Sequence, residues 1–176
     1  MFELLFPFFL IVLFILVLTI IWRNNARKYI SSGTVASAYD AWTQDKLLER
    51  LWGEHIHLGF YPSEVKNIDF RKAKVQFVHE LVKWSGLDKL PQGSRILDVG
   101  CGIGGSSRIL AEYYGFNVTG ITISPAQVKR ARELTPHGLN CTFQVMDALD
   151  LKFEDGSFDA VWSVEAGAHM KDKTRF

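Results

Sequence analysis

The sequence predicts an α/β fold with a parallel sheet, preceded by N-terminal helices and a transmembrane helix. Three observations predict it. Apolar runs at Arg95–Val99, Asn117–Ile123, Cys141–Met146 and Phe158–Val164 alternate with helical stretches at Gly105–Tyr114 and Pro125–Thr135, the order of βαβ units. A glycine-rich turn, Gly100-Cys101-Gly102-Ile103-Gly104-Gly105, directly follows the first strand. A long apolar segment opens the chain.

That opening segment, Leu4 to Trp22, is 19 residues in which only Pro7 and Thr19 are not strongly apolar. As a helix it spans roughly 28 Å, about one hydrocarbon core. Glu3 precedes it, where a secretory leader would carry basic residues, and Arg23, Arg27 and Lys28 follow. The segment is therefore expected to be an uncleaved single-pass anchor, with a cleaved leader as the alternative. The basic flank puts the rest of the chain on the cytoplasmic side or its topological equivalent, the stroma included.

The elements after the anchor come in order. Ser31 to Thr34 is a polar hinge. Thr34 to Leu51 is predicted helical, with Val35, Tyr39, Trp42, Leu47, Leu48 and Leu51 near helical spacing. Trp52 to Tyr61 is an aromatic, histidine-rich loop. Asp69 can cap a second helix that carries Phe70, Phe77, Val78, Leu81 and Val82 and ends at Gly86. Pro91-Gln92-Gly93 turns into the first strand. The expected domains are 1–30, anchor and basic flank; 31–92, a helical lid; and 93–176, the α/β domain.

Composition narrows the function. The 176 residues carry a net charge of +1, with 20 Lys and Arg against 19 Asp and Glu, so no basic face for nucleic acid is expected. The two cysteines, Cys101 and Cys141, imply no disulfide framework and suit a reducing compartment. His55 and His57 lie two apart, yet no second set of ligands completes a metal site, and none is expected.

The glycine turn points to a nucleotide. In a dinucleotide site an acid follows the glycines by about 20 residues and binds the ribose. Here no Asp or Glu occurs from Tyr113 to Arg132, and the acid, Asp98, precedes the glycines. A carboxylate there suits a ligand with a cationic amino end. This order, Ile96-Leu97-Asp98-Val99-Gly100-Cys101-Gly102-Ile103-Gly104, closely resembles the S-adenosylmethionine (SAM) methyltransferases, whose sheet is Rossmann-like.

Narrower strings resemble one group within them. They are Val35-Ala36-Ser37-Ala38-Tyr39-Asp40-Ala41-Trp42, Trp52-Gly53-Glu54-His55-Ile56-His57-Leu58-Gly59, Thr122-Ile123-Ser124-Pro125-Ala126-Gln127 and Glu165-Ala166-Gly167-Ala168-His169-Met170. Together they are similar to the tocopherol-methyltransferase group. The resemblance implies a SAM-dependent C-methyltransferase acting on a prenylated benzoquinol, with the lipid bilayer as a further partner. It also implies a sheet with more strands than the four read here, so the α/β domain is expected to be cut short after the fourth. A truncated, non-catalytic membrane protein that keeps the SAM-binding half stays open as an alternative, as does a sterol or fatty-acyl methyltransferase.

The resemblance also assigns residues. Asp98 with Gly100, Gly102 and Gly104 would hold the methionine end and ribose side of SAM. Thr122 and Ile123 stand where many methyltransferases place a ribose acid, and a hydroxyl and a backbone group can bind the diol. Gln127 could reach the ribose, or close a Ser-Pro-x-Gln capping box with Ser124. Asp147 would accept from the adenine amino group, and the Ala148 N–H would donate to a ring nitrogen. His169 is the candidate base, and Glu165 would orient it or bind a substrate hydroxyl. Tyr39, Trp52, His55 and His57 belong to the lid, where aromatic faces attract a sulfonium.

Overall fold

The computed structural model describes residues 11–20, 32–65 and 67–176, apart from the side chains of Ser32 and His169. The chain divides into two compact units, Met1–Ile30 and Ser31–Phe176. In the first unit residues 11–20 are helical (α1). Among the described residues no helix is long and apolar enough to cross a membrane. The apolar run over Leu4 to Trp22 extends beyond the described residues at both ends, and its basic flank lies outside them.

The second unit begins with three helices, α2 (Ser32–Asp45), α3 (Leu47–Trp52) and α4 (Phe70–Ser85). The sequence predicts one continuous helix where α2 and α3 stand. Lys46 separates them in the left-handed conformation (φ 55°), and the Leu47 N–H turns back to Asp45 Oδ1. The break swings Glu49 onto Arg130, whose guanidinium meets its carboxylate twice, at 2.6 and 2.8 Å. Helix α4 has the caps its sequence announces. Asp69 accepts from the N–H groups of Arg71 and Lys72, and Gly86 closes the far end.

The sheet is parallel and four-stranded, in the order β3 (Cys141–Val145), β2 (Asn117–Thr122), β1 (Arg95–Val99), β4 (Ala160–Trp162). Helix α5 (Gly105–Tyr114) crosses from β1 to β2, and α6 (Pro125–Leu134) crosses from β2 to β3. The chain then returns to the other side of β1, so the strand order reverses between β1 and β4. In open α/β sheets this switch point leaves a crevice at the carboxyl ends of the strands. The fourth strand is shorter than its apolar run, because only Ile96, Leu97 and Asp98 of β1 offer it partners.

Both faces of β1 are covered, as expected of a central parallel strand. On one face Ile96 and Val118 pack with Val78 and Val82 of α4, Leu110 of α5 and Trp162. On the other, Leu97, Val99 and Ile121 pack under Met146, Phe153 and Phe158. Leu110 is fully buried, whereas Val161 is 66% exposed. Leu110→Ala should therefore cost about 2–5 kcal/mol in chemical denaturation. Val161→Ala should stay within about 0.5 kcal/mol. Equal effects would mean that the core does not lie under α5.

Candidate functional site

A cavity of about 210 Å³ opens at the switch point. Its floor comes from the carboxyl ends of the strands: Asp98 and Gly100–Ile103 after β1, Thr122 and Ile123 after β2, Asp147 and Ala148 after β3, and Glu165 and Ala166 after β4. The N-terminal helices and the loop after them supply its cover, from Tyr39, Trp42, Glu49 and Glu54–His57. Four strand ends widely separated in sequence thus meet at one place, and most of the expected site residues lie on the wall.

Asp98 is the most unusual group on that wall. It is 3% exposed, and the Ser107 hydroxyl donates to its Oδ2 at 2.5 Å. Burial pushes its carboxyl up to about 6, against the smaller opposing effect of the Ser107 bond. A carboxylate held out of water, with no cation beside it among the described residues, is complementary to an ammonium group. Nearby, Trp162 Nε1–H is a buried donor without a partner among the described residues, and the Trp162 ring lies on the same wall.

The glycines divide their work. A Cβ at Gly102 (φ +56°) would meet nothing within 4 Å, so this turn residue presents bare backbone to the cavity. Gly104 is among the expected binding residues, yet it does not line the cavity. A Cβ there would strike the Phe143 ring at 2.6 Å and Arg108 at 2.8 Å, so its smallness serves packing beneath the turn.

Beyond β2 the expected capping box forms by halves. Ser124 Oγ accepts from the Gln127 N–H as an N-cap should. The Gln127 side chain does not reciprocate. Thr122 Oγ1 donates to Gln127 Oε1 at 2.7 Å and itself accepts from the Ser124 N–H at 3.3 Å. The Thr122 hydroxyl proton is thus already committed, and a diol on this wall would meet the Gln127 amide and the Ile123 backbone. Asp147 spends one carboxylate oxygen on the Leu149 N–H.

After β4, Glu165 takes a left-handed conformation (φ 57°) and accepts from the Leu58 N–H of the cover loop at 3.1 Å. The backbone of His169 ends the short 3₁₀ turn Ala166–His169, and its side chain lies outside the described residues.

Sequence reasoning missed Arg108. Its guanidinium is nearly buried and bonds the Ile103 carbonyl of the glycine turn at 2.9 Å and Glu54 of the cover at 2.6 Å. An arginine at the fourth position of the helix after a glycine turn was the only available signal. The cover is tied down twice more. Asp40 accepts from Ser124 Oγ and from the Ala126 N–H at the start of α6. Lys74 Nζ donates to the carbonyls of Trp52 and His55 at 3.2 and 2.7 Å.

A Gly-turn crevice with a buried acid at the end of β1 and helices folded over it defines a methyltransferase-type open α/β domain. Residues 96–176 match the family model described as a methyltransferase domain, and the chain is similar to proteins named as methyltransferases. Over 152 residues it is 62% identical to 2-methyl-6-phytyl-1,4-hydroquinone methyltransferase of Synechocystis sp., covering 86% of this chain and 48% of that protein. It is 42% identical to the chloroplastic tocopherol O-methyltransferase of Arabidopsis thaliana, over 74% of this chain and 40% of that one. The resemblance to the tocopherol-methyltransferase group is thus borne out. The chain spans about half the length of these relatives or less. The crystal structure of the [4+2]-cyclase SpnF superimposes with a TM-score of 0.71 at 29% identity, over 82% of this chain and 53% of that one. With a cyclase on the same fold, the site and not the fold must carry the function.

The raised carboxyl of Asp98 makes a testable statement about stability. Its protonated form is the favoured one in the folded chain. That contribution is fully present below the ordinary carboxylate value and is lost as pH rises through about 6. Asp98→Asn stays neutral throughout. It should stabilise the ligand-free chain by about 1–3 kcal/mol at pH 8 and by almost nothing at pH 4. Thermal denaturation across this range checks it, and destabilisation at pH 8 would contradict the buried-charge account.

Proposed function

We propose that this chain binds SAM in the switch-point cavity and serves a membrane-associated C-methyltransferase that acts on a prenylated benzoquinol. The observation that carries the reading is the buried Asp98 facing a bare glycine turn at the reversal of strand order. The substrate class rests on the 62% identical relative, which is named for a phytylated hydroquinone.

Each group on the wall then has a task. Asp98 pairs with the ammonium of the methionine end. The bare backbone at Gly102 lets the ligand lie close, and Gly100 beside it makes room for Ala166 on the same wall. Ile123 and the Gln127 amide hold the ribose diol, with Thr122 fixing the orientation of Gln127. The free oxygen of Asp147 and the Ala148 N–H take the adenine edge. SAM supplies an electrophilic methyl group on a sulfonium. Aromatic rings of the cover, Tyr39 among them, suit that positive charge. Residues 31–92 act as the lid and residues 93–176 as the SAM-binding part.

His169 acts as the base. A ring carbon attacks more readily when a phenol proton is withdrawn, and imidazole titrates near working pH. Its backbone position, one short turn after β4 and next to Met170 on the cavity wall, supports the assignment. The assay is transfer of labelled methyl from SAM to 2-methyl-6-phytylbenzoquinol, beside a sterol and an unsaturated acyl lipid. Label should enter the quinol alone, and label only in the sterol or lipid would overturn the substrate. His169→Ala should lower turnover about 10²–10⁴-fold with SAM affinity little changed. Asp98→Asn should weaken SAM binding by about 1.5–3 kcal/mol.

The apolar run Leu4 to Trp22 anchors the enzyme, with the basic flank on the cytoplasmic or stromal side. A tethered domain meets a bilayer-dissolved substrate at its head group. The protein should stay with membranes through a carbonate wash. Release into the wash, or a mature chain that starts after Trp22, would remove the anchor.

A further inference from the structure

The two histidines of the cover loop are buried, line the cavity and touch each other. Their hydrogen bonds fix where the protons are. His57 Nδ1 lies 2.8 Å from the Leu58 carbonyl, and a carbonyl only accepts, so this nitrogen carries a proton. In a neutral ring His57 Nε2 is then bare. It faces His55 Nδ1 at 3.1 Å, so that nitrogen must donate. Neutral His55 is left with a bare Nε2, which has no hydrogen-bond partner among the described residues.

The surroundings keep both rings neutral. Burial pushes His55 down to about 3, and the charges of Arg108 and Lys74 push the same way. Burial lowers His57 too, opposed by Glu165, whose carboxylate holds the peptide N–H of Leu58. The Leu58 carbonyl, His57 and His55 form one chain of hydrogen bonds that ends in a lone pair, and Glu165 holds Leu58 in place through its N–H. The loop reaches this position because Gly105 lacks a side chain. A Cβ there would lie 2.8 Å from His55 Cε1 and from the Glu54 carbonyl oxygen.

We propose that His55 Nε2 is the hydrogen-bond acceptor for a phenolic hydroxyl of the substrate, so that the site takes the hydroxyl-bearing form of the ring and rejects its carbonyl or ether form. This rests on the quinol reading and deepens it. A hydroxyl satisfies the lone pair, whereas a quinone carbonyl or an ether oxygen sets acceptor against acceptor in a desolvated wall. Sites built to bond a substrate O–H discriminate strongly against analogues that lack it. His55 transfers no proton here and only binds.

The test is ¹⁵N NMR of the chain labelled at histidine, with S-adenosylhomocysteine present, the rings assigned from His55→Phe and His57→Phe. His55 should carry its proton on Nδ1 and show a bare Nε2. Trimethylhydroquinone should shift that Nε2 resonance, and 1,4-dimethoxybenzene should not. By titration the wild-type chain should prefer the hydroquinone at least about tenfold. His55→Phe should erase the preference, as should Gly105→Ala, which displaces His55 without changing its chemistry. A proton on His55 Nε2, or a preference that survives in both variants, overturns the proposal. Should His55→Phe fail to fold, the wild-type spectrum still decides. Methyl transfer to the quinol with KM unchanged in both variants leaves the proposed function standing and removes His55. A hydroquinone-induced shift without transfer leaves the acceptor standing and removes the reaction.

Discussion

The site depends on one buried charge. Asp98 lies near the end of β1 inside the sheet, at the point where the strand order reverses, and among the described residues only the Ser107 hydroxyl attends its side chain. A carboxylate in such a place costs stability in the empty chain. That cost is the measure of what a cationic ligand gains, because the ligand supplies the missing partner without further reorganisation. The same strand end leads into the glycine turn. The charge and the bare backbone of Gly102 are therefore placed by one piece of chain, and they cannot drift apart without breaking β1.

The cover is held by opposite logic. Three of its acids find partners on the α/β body. Asp40 meets the start of α6, Glu49 meets Arg130, and Glu54 meets Arg108. The Glu49 and Arg130 pair is partly buried on both sides and doubly bonded, so it contributes more than an ordinary surface pair. Arg108 matters most, because one guanidinium grips both the Ile103 carbonyl and the cover. The conformation of the glycine turn and the seating of the loop that carries His55 are thus linked through a single side chain.

Local chemistry made the framework legible in the sequence. Strand β1, helix α5 and both caps of α4 fall where apolar runs, Asp69, Gly86 and Gly115 put them, because each is decided within a few residues. Asp98, Thr122, Asp147 and Glu165 were legible as wall residues for a related reason. They follow strand ends, and a parallel sheet brings all its strand ends to one edge. What sequence did not show is set by particular side-chain partners. The break at Lys46 goes with Glu49 meeting Arg130, 81 residues on. The Thr122 hydroxyl gives its proton to Gln127, a partner five residues on that is buried with it on the cavity wall. Gly104 resembles its neighbours in the motif, and only the Phe143 ring beneath it shows that it serves packing.

The histidine pair follows from this in a way no spacing could reveal. The spacing of two histidines two residues apart does not by itself say where their protons sit. Their roles are settled by an acceptor that belongs to neither, the Leu58 carbonyl, which fixes the proton on His57 and through it the proton on His55. The Leu58 peptide is itself held by Glu165, from the strand end across the cavity. A residue read as a candidate catalytic carboxylate therefore also seats the loop that carries the two histidines. Floor and cover thus offer the cavity opposite properties. Asp98 on the floor offers a negative charge that needs a cation, and His55 on the cover offers a neutral lone pair that needs a hydroxyl. A sulfonium amino acid ligand and a phenolic ring meet these needs separately, so each would be bound by the wall that the other leaves unsatisfied.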